Sequence, residues 1–491
     1  MRDAWEIARL TGAELGAAYA DGSLSPTEVV EAALTVVDDA EPELNALWDR
    51  ADESARVAAA ESTERWRRGE ARGPLDGVPA TVKENLARAG VPMPAGNAGV
   101  VPVLPERSSP VVERLTEAGA VIVGSTVMPD WGMLSSGVSS LHGISRSPWD
   151  PALTTGGSSS GAGAAAAAGY APLNVGTDIG GSIRLPGTWL GLAAFKPSSG
   201  RVPLDTPYLG RVAGPMTRTV EDAALMMSVL SRPDSRDWTA LPPSDLPWDD
   251  IAPSTADVGG LRVGLMLDAG CGMPVDPEVA EAVADAAQAF AEGGAVVEPL
   301  APFLTDELLG DLDTFWRVRS WNDFQALAPD GQARVLPFIR RWVEAAADVS
   351  GREVLACYQS IMDIQRRSVA ATLPFDVVLS PVAPVPAFPA EWPMPFGDHD
   401  RGMVHIGFTA PANLSGQPSI SVNAGFTDDG RTIGLAVTGR RFDDIGVLRA
   451  AAWWESARPD SARPDWPIRR RATTARVRRT DAVTSGRAAP G

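Results

Sequence analysis

Four serine hydroxyls share one glycine-rich stretch, TTGGSSSGAGAAAAAGYAPLNVGTDIGGSIRLPG at 154–187: Ser158, Ser159, Ser160 and Ser182. A serine attacks a carbonyl only when something takes its proton and donors already wait for the developing oxyanion. The run Asp178-Ile179-Gly180-Gly181-Ser182 offers the second requirement. Two glycines just ahead of a serine let the backbone curl, so that several N–H groups turn into one pocket. Asp178 and Arg184 flank that curl closely enough to pair and stiffen it.

The first requirement is harder to meet, because the three histidines, His142, His399 and His405, are scattered. The basic residues are more informative. Of 43 lysines and arginines only two are lysine, Lys83 and Lys196. A chain this rich in arginine has little need of lysine for charge alone. Lysine differs in that burial can strip its proton, whereas guanidinium keeps its own. Lys83 follows the apolar run VPATV, so desolvation should lower its pKa from about 10.4 towards neutrality and make it a general base. Lys196, in FKPSSG, is a surface cation or a structural partner of a backbone carbonyl.

Two other patterns overlap the opening stretch. Gly157-Ser158-Ser159-Ser160-Gly161 fits G-x-S-x-G, the nucleophile elbow, which needs a strand running into its serine. The preceding SPWDPALTTG contains two prolines and reads as a turn. Gly161-Ala162-Gly163 resembles a dinucleotide loop, but no apolar strand feeds it.

The elements that position these residues alternate between helix and strand. Ser25-Pro26-Thr27-Glu28 is a capping box that opens a helix, and 51–69 reads as another. LDGVPATVKENL reads as a buried strand carrying Lys83. A helix from Ser109-Pro110 stops at Gly119, and the strand AVIVG (120–124) follows. Further signals are a short helix in AAAAAG, a strand near 173–176, strand then turn over 192–203, a helix at 220–231 and a strand–helix–strand unit over 261–300. A helical, Trp-rich section runs from about 303 to 372, followed by DVVLSPVAPVP (376–386) and a Pro-rich loop to about 400. Together they predict an α/β fold.

At 491 residues, 44% hydrophobic and 21% charged, the chain has the balance of a folded globular protein. No uninterrupted apolar segment suggests a signal peptide or a membrane span, so a cytoplasmic location is expected. Cys271 and Cys357 make no disulfide framework or zinc pattern. Asp398-His399-Asp400 could grip a cation but fits a solvated loop better. The net charge is −19, yet residues 456–491 carry nine Arg against three Asp. An acidic body argues against nucleic-acid binding, and the basic end is expected to be a disordered tail.

Taken together, GGSSSG at 156–161, GTDIGGSIRLP at 176–186 and TVKEN at 81–85 strongly resemble the amidase signature family of serine hydrolases. Their order and separations, 75 residues from Lys83 to Ser158 and 24 more to Ser182, are family-like. So are GSTVMPDWG (124–132), SPWDP (147–151), FKPSSGRVP (195–203), FTAPANLSGQPSISV (408–422) and GLAVTGRRFDD (434–444). The likeness covers about 8–456. It implies the amidase signature fold, one large mixed β-sheet covered by helices on both faces. That domain would span 1–455, with core motifs at 75–205 and a variable substrate-facing section at 303–400.

The resemblance also implies roles. Ser182 would be the nucleophile, Ser158 a relay after a cis Gly157–Ser158 peptide, and Lys83 the base. The N–H groups of Ile179, Gly180, Gly181 and Ser182 would hold the oxyanion. Ser159, Thr177, Asp178 and Arg184 would support them, and Gly132, Met133 and Ser158 would touch the substrate. No metal or organic cofactor is implied. The chain departs from the family pattern at Ser160, Val127, Asp130 and Leu153. All but the first are expected beside the substrate entrance, where they bear on substrate rather than on reaction. The implied activity is hydrolysis of a small linear, aryl or carbamate-like amide through an acyl-enzyme, by a monomer or homodimer. Alternatives with the same triad are the glutamine-hydrolysing component of a tRNA-dependent amidotransferase and a urethane or ester hydrolase. Trp316, Trp321, Trp342 and Trp392 are either pocket wall or core.

Overall fold

Local signals in the sequence are honoured closely in the computed structural model, which describes residues 3–252, 256–396 and 401–468. The capping box at Ser25 forms as written, with Ser25 N–H donating to the Glu28 carboxylate (2.9 Å) and Glu28 N–H to Ser25 Oγ (3.3 Å). It opens helix α1 (Pro26–Leu44), and α2 (Asp52–Arg68) ends on Gly69 in the left-handed conformation.

Eleven strands make one sheet. In chain order they are β1 (Leu47–Arg50), β2 (Pro79–Lys83), β3 (Val121–Thr126), β4 (Leu173–Asp178), β5 (Ala193–Lys196) and β6 (Val212–Thr217). After these come β7 (Arg262–Leu265), β8 (Val296–Pro299), β9 (Val377–Pro381), β10 (Ser419–Phe426) and β11 (Thr432–Gly439). Their spatial order is β1-β3-β2-β4-β6-β5-β10-β11-β9-β7-β8. β2 runs parallel to both β3 and β4, β7 runs parallel to β8 and β9, and the pairs in between are antiparallel. The sheet is mixed, as expected.

Alternation along the strands sends side chains to both faces. Ala80 and Val82 of β2, Val175 of β4, and Ala193 and Phe195 of β5 join a large cluster with the helices Val220–Leu230, Pro277–Glu292 and Asp444–Ala457. On the opposite face, Ala194 and Met216 pack against α3 (Ser160–Ala168) and α4 (Arg184–Leu190) through Ala162, Ala166 and Leu190. Each face is therefore covered. Lys83 ends β2 on the α3 side, fully buried. The Trp-rich section forms four helices, including α5 (Asp306–Gln325) and α6 (Gly351–Thr372), over a separate apolar cluster.

The chain end departs from expectation. Residues 456–468 do not leave the body: Ala462 O accepts from Asn423 Nδ2 (2.9 Å) and Ile468 N–H donates to Ala167 O (2.9 Å). Trp466 packs edge-on against Trp149, which supplies the apolar anchor that charge counting overlooks. The rest of the expected tail, 469–491, lies outside the described residues, as does the Asp398-His399-Asp400 cluster.

Candidate active site

Three loops converge where β2 and β4 end. The first follows β3 and carries 130–136, the second runs 154–159 into α3, and the third joins β4 to α4 through Ile179–Ile183. The Gly157–Ser158 peptide is cis. No strand precedes Ser159, so the nucleophile-elbow pattern lacks its required geometry.

Lys83 Nζ faces three hydroxyl oxygens: Ser158 Oγ at 2.8 Å, Ser159 Oγ at 3.1 Å and Thr177 Oγ1 at 3.2 Å. Their protons are not equivalent. Ser159 Oγ donates to Thr177 O (3.1 Å) and accepts from Thr177 N–H (3.2 Å), so its proton is committed. Thr177 Oγ1 already receives Asn85 Nδ2 (3.0 Å). Ser158 Oγ has no other partner among the described residues. It is the hydroxyl best able to hand a proton to a neutral Lys83.

Burial pushes the Lys83 pKa down to about 7, aided by the charge of Arg211 and opposed by Asp178 and Glu84. Lys196 is equally buried and equally lowered, to about 7, by burial and the charge of Arg184. Its Nζ donates to Pro197 O (2.9 Å), so it is the carbonyl partner and not the surface cation. A low pKa therefore does not distinguish the two lysines; their neighbours do.

Asp178 and Arg184 pair as expected, Nε to Oδ2 at 3.1 Å, both buried. Burial alone would raise the Asp178 pKa, but Arg184, Asn413 and the Ile183 N–H hold it at about 2. Asp178 Oδ1 also takes the Gly181 N–H at 2.7 Å. This corrects the expected oxyanion set: Gly181 has spent its donor on the carboxylate. The N–H groups of Ile179, Gly180 and Ser182 donate to no group among the described residues. Gly181 instead supplies shape, with φ +134° and Leu185 and Thr409 too close to admit a Cβ.

Asp178→Asn would leave the Arg184 guanidinium buried without its counter-charge. The expected cost is about 3–5 kcal/mol of stability, read as a lowered urea midpoint. Because the folded pKa is depressed, the wild-type pair stabilises above the unfolded carboxyl value and loses that contribution as pH falls towards about 2.

Ser182 is half-buried and opens onto a cavity. Its carbonyl accepts the Ser159 N–H (3.1 Å), which ties the two serine loops together. Trp131, Met133, Leu185, Trp316, Trp342, Met403 and Ile406 give the cavity a largely apolar wall. Gly132 and Met133 line it. Ser158, by contrast, is buried beneath Gly132, where a Cβ would come within 3.0 Å of Ser158 Oγ. Of the four tryptophans that could be wall or core, Trp316 and Trp342 are wall, Trp321 stacks on Phe324, and Trp392 is exposed.

None of the three departures expected beside the entrance lines the cavity. Val127 packs against Gly161, Leu153 bridges to Pro389, and buried Asp130 takes the Ser140 N–H and hydroxyl (2.7 and 2.6 Å). Ser160 fits at the start of α3, its hydroxyl donating to Val127 O (3.3 Å). Sequence reading also missed Glu84, which accepts from His142 Nε2 at 3.1 Å and from Met128 N–H. Its place directly after Lys83 was the only signal. Among the described residues, no three His, Cys, Asp or Glu side chains gather as metal ligands.

The family model for amidases matches residues 28–448 of this chain. The chain belongs to the amidase signature family. It is 33% identical to an acylamidase of Rhodococcus erythropolis over 92% of this chain and 96% of that protein. It is 32% identical to the A subunit of a glutamyl-tRNA(Gln) amidotransferase from Chloroflexus aggregans, over 93% and 99%. Among solved structures, a bacterial aryl acylamidase superposes with a TM-score of 0.86 at 29% identity, covering 94% of this chain and 99% of that one. As a member of the amidase signature family, the chain is a hydrolase of carbon–nitrogen bonds other than peptide bonds.

Proposed function

We propose that this amidase cleaves amides with an apolar acyl or aryl group through an acyl-enzyme on Ser182. The observation that carries this reading is Lys83 Nζ 2.8 Å from Ser158 Oγ, whose proton no other described group claims, next to a cavity that presents Ser182. Ser182 Oγ attacks the carbonyl while its proton passes to Ser158 and that of Ser158 to neutral Lys83. The N–H groups of Ile179, Gly180 and Ser182 receive the oxyanion. Collapse of the tetrahedral adduct breaks the C–N bond, and the proton returns through Ser158 to the leaving amine. Water, activated by the same relay, then releases the carboxylate.

The wall favours apolar substrates. Free glutamine presents an ammonium and a carboxylate, yet among the described residues the wall carries one charged side chain, Arg319, and no acid. An ammonium would enter without a counter-charge, which is costly in so apolar a site. Esters and carbamates share the acyl-enzyme chemistry. We place this enzyme in the cytoplasm as a monomer or homodimer; no helix among the described residues is long and apolar enough to cross a membrane.

A turnover screen of aliphatic amides, anilides, carbamates, esters and glutamine tests the proposal. Anilides should be cleaved by the purified chain alone. Glutaminase activity that emerges only with a partner protein, without anilide turnover, would overturn it. Trp316→Ala should raise KM for anilides several-fold while changing that for acetamide little, because the lost wall contacts only the larger group.

A further inference from the structure

Ser135 lines the same cavity as Ser182, although the relay makes no use of it. It stands in a segment fixed against the serine loop: a Cβ on Gly157 would meet the Leu134 and Ser136 backbone at 2.4–2.7 Å. Behind it lies His405, fully buried, with Nε2 2.7 Å from Ser135 Oγ. The other ring nitrogen, Nδ1, is buried and has no partner among the described residues. The ring of Phe396 stands edge-on to the imidazole at 5.9 Å. Burial holds His405 neutral, its pKa lowered to about 3.

A neutral imidazole carries one proton, so the unpaired Nδ1 discriminates between its two tautomers. A proton on Nδ1 would leave an N–H orphaned in a dry interior, the rarer and costlier defect. A proton on Nε2 leaves only a bare lone pair there. His405 then donates to Ser135 Oγ, and the Ser135 hydroxyl keeps its own proton. That hydroxyl has no other partner among the described residues, and the cavity is where its proton can be used.

We propose that Ser135 is a substrate-binding donor, oriented by His405, that recognises a hydrogen-bond acceptor in the substrate other than the scissile carbonyl. An ether, second carbonyl or carbamate oxygen has the required chemistry. This deepens the apolar-amide reading and rests on it: the favoured substrate is apolar with one acceptor placed beside the reacting amide. His405 is a positioning residue, acting only through Ser135.

The test compares three substrates, butyranilide, methoxyacetanilide and N-(2-methoxyphenyl)butanamide, so that an acceptor is absent, on the acyl side or on the amine side. Ser135→Ala should lower kcat/KM for one of the methoxy substrates about tenfold relative to butyranilide, the worth of one hydrogen bond. His405→Phe should reproduce that loss, and His405→Gln, which restores an N–H near the Nε2 position, should recover most of it. An equal slowing of all three substrates, or no difference between the Phe and Gln variants, would overturn the proposal. Nitrogen-15 NMR of the histidine-labelled enzyme supplies a readout independent of turnover, with His405 expected as the Nε2–H tautomer. An Nδ1–H tautomer refutes the donor role even if every anilide is cleaved. Absence of all anilide turnover refutes the apolar-amide reading instead, and the tautomer still decides this one.

Discussion

Lys83→Met should slow anilide hydrolysis by about 10²–10⁴-fold, the usual contribution of a positioned acid–base group. Methionine fills the buried stem but offers nothing to accept the Ser158 proton. In the wild type, kcat/KM should fall tenfold per unit as pH drops below about 7, because only the neutral amine is a base. Lys196→Met should keep that pH profile, since its amine contacts Pro197 O and no hydroxyl of the relay. Equal loss in the two variants would sink the base assignment. The same shift has a stability signature. Unfolded lysine titrates near about 10.4, so between about 7 and about 10.4 the unfolded chain holds more protons than the folded one. Each lysine therefore contributes a stability that rises with pH across that window, and either variant should reduce the slope in urea titrations at several pH values.

Ser182→Ala should be more severe, with losses on the order of 10⁶-fold, as when a nucleophile is removed from a triad acting as a unit. A fluorophosphonate should label the wild type on Ser182, and the adduct is located by peptide mass spectrometry. Ser159→Ala should still be labelled at Ser182. It loses only a hydroxyl that bridges the Thr177 backbone and the Lys83 amine. An adduct on Ser159, with labelling retained in Ser182→Ala, would return the attack to the middle serine of GSSSG.

Features written by neighbours in the chain were the readable ones. The Ser25 capping box, the strand carrying Lys83, and the Asp178–Arg184 pair each depend on residues within six positions of one another. Partners brought together by the sheet were not. His405 reaches Ser135 from 270 positions away and Asn413 reaches Asp178 from 235, and no local pattern announces either. The sheet order has the same limit, because β5 sits between β6 and β10 rather than beside β4. The Gly181 error is of another kind. A Gly-Gly-Ser curl guarantees that N–H groups converge, but which of them a nearby carboxylate will claim depends on side-chain placement. Trp131 was missed as wall because its place follows from a left-handed backbone at φ 50°, unusual for so large a residue.

Both lysines of this chain are sealed inside it. The folded surface thus carries its positive charge on guanidinium alone. Amine-directed cross-linkers and acylating dyes meet no side-chain target on it, and a protease specific for lysyl bonds has no site to cut until the fold opens. Ubiquitin conjugation to lysine and lysine acetylation are likewise barred from the native state. Reagents directed at lysine thereby become reporters of unfolding.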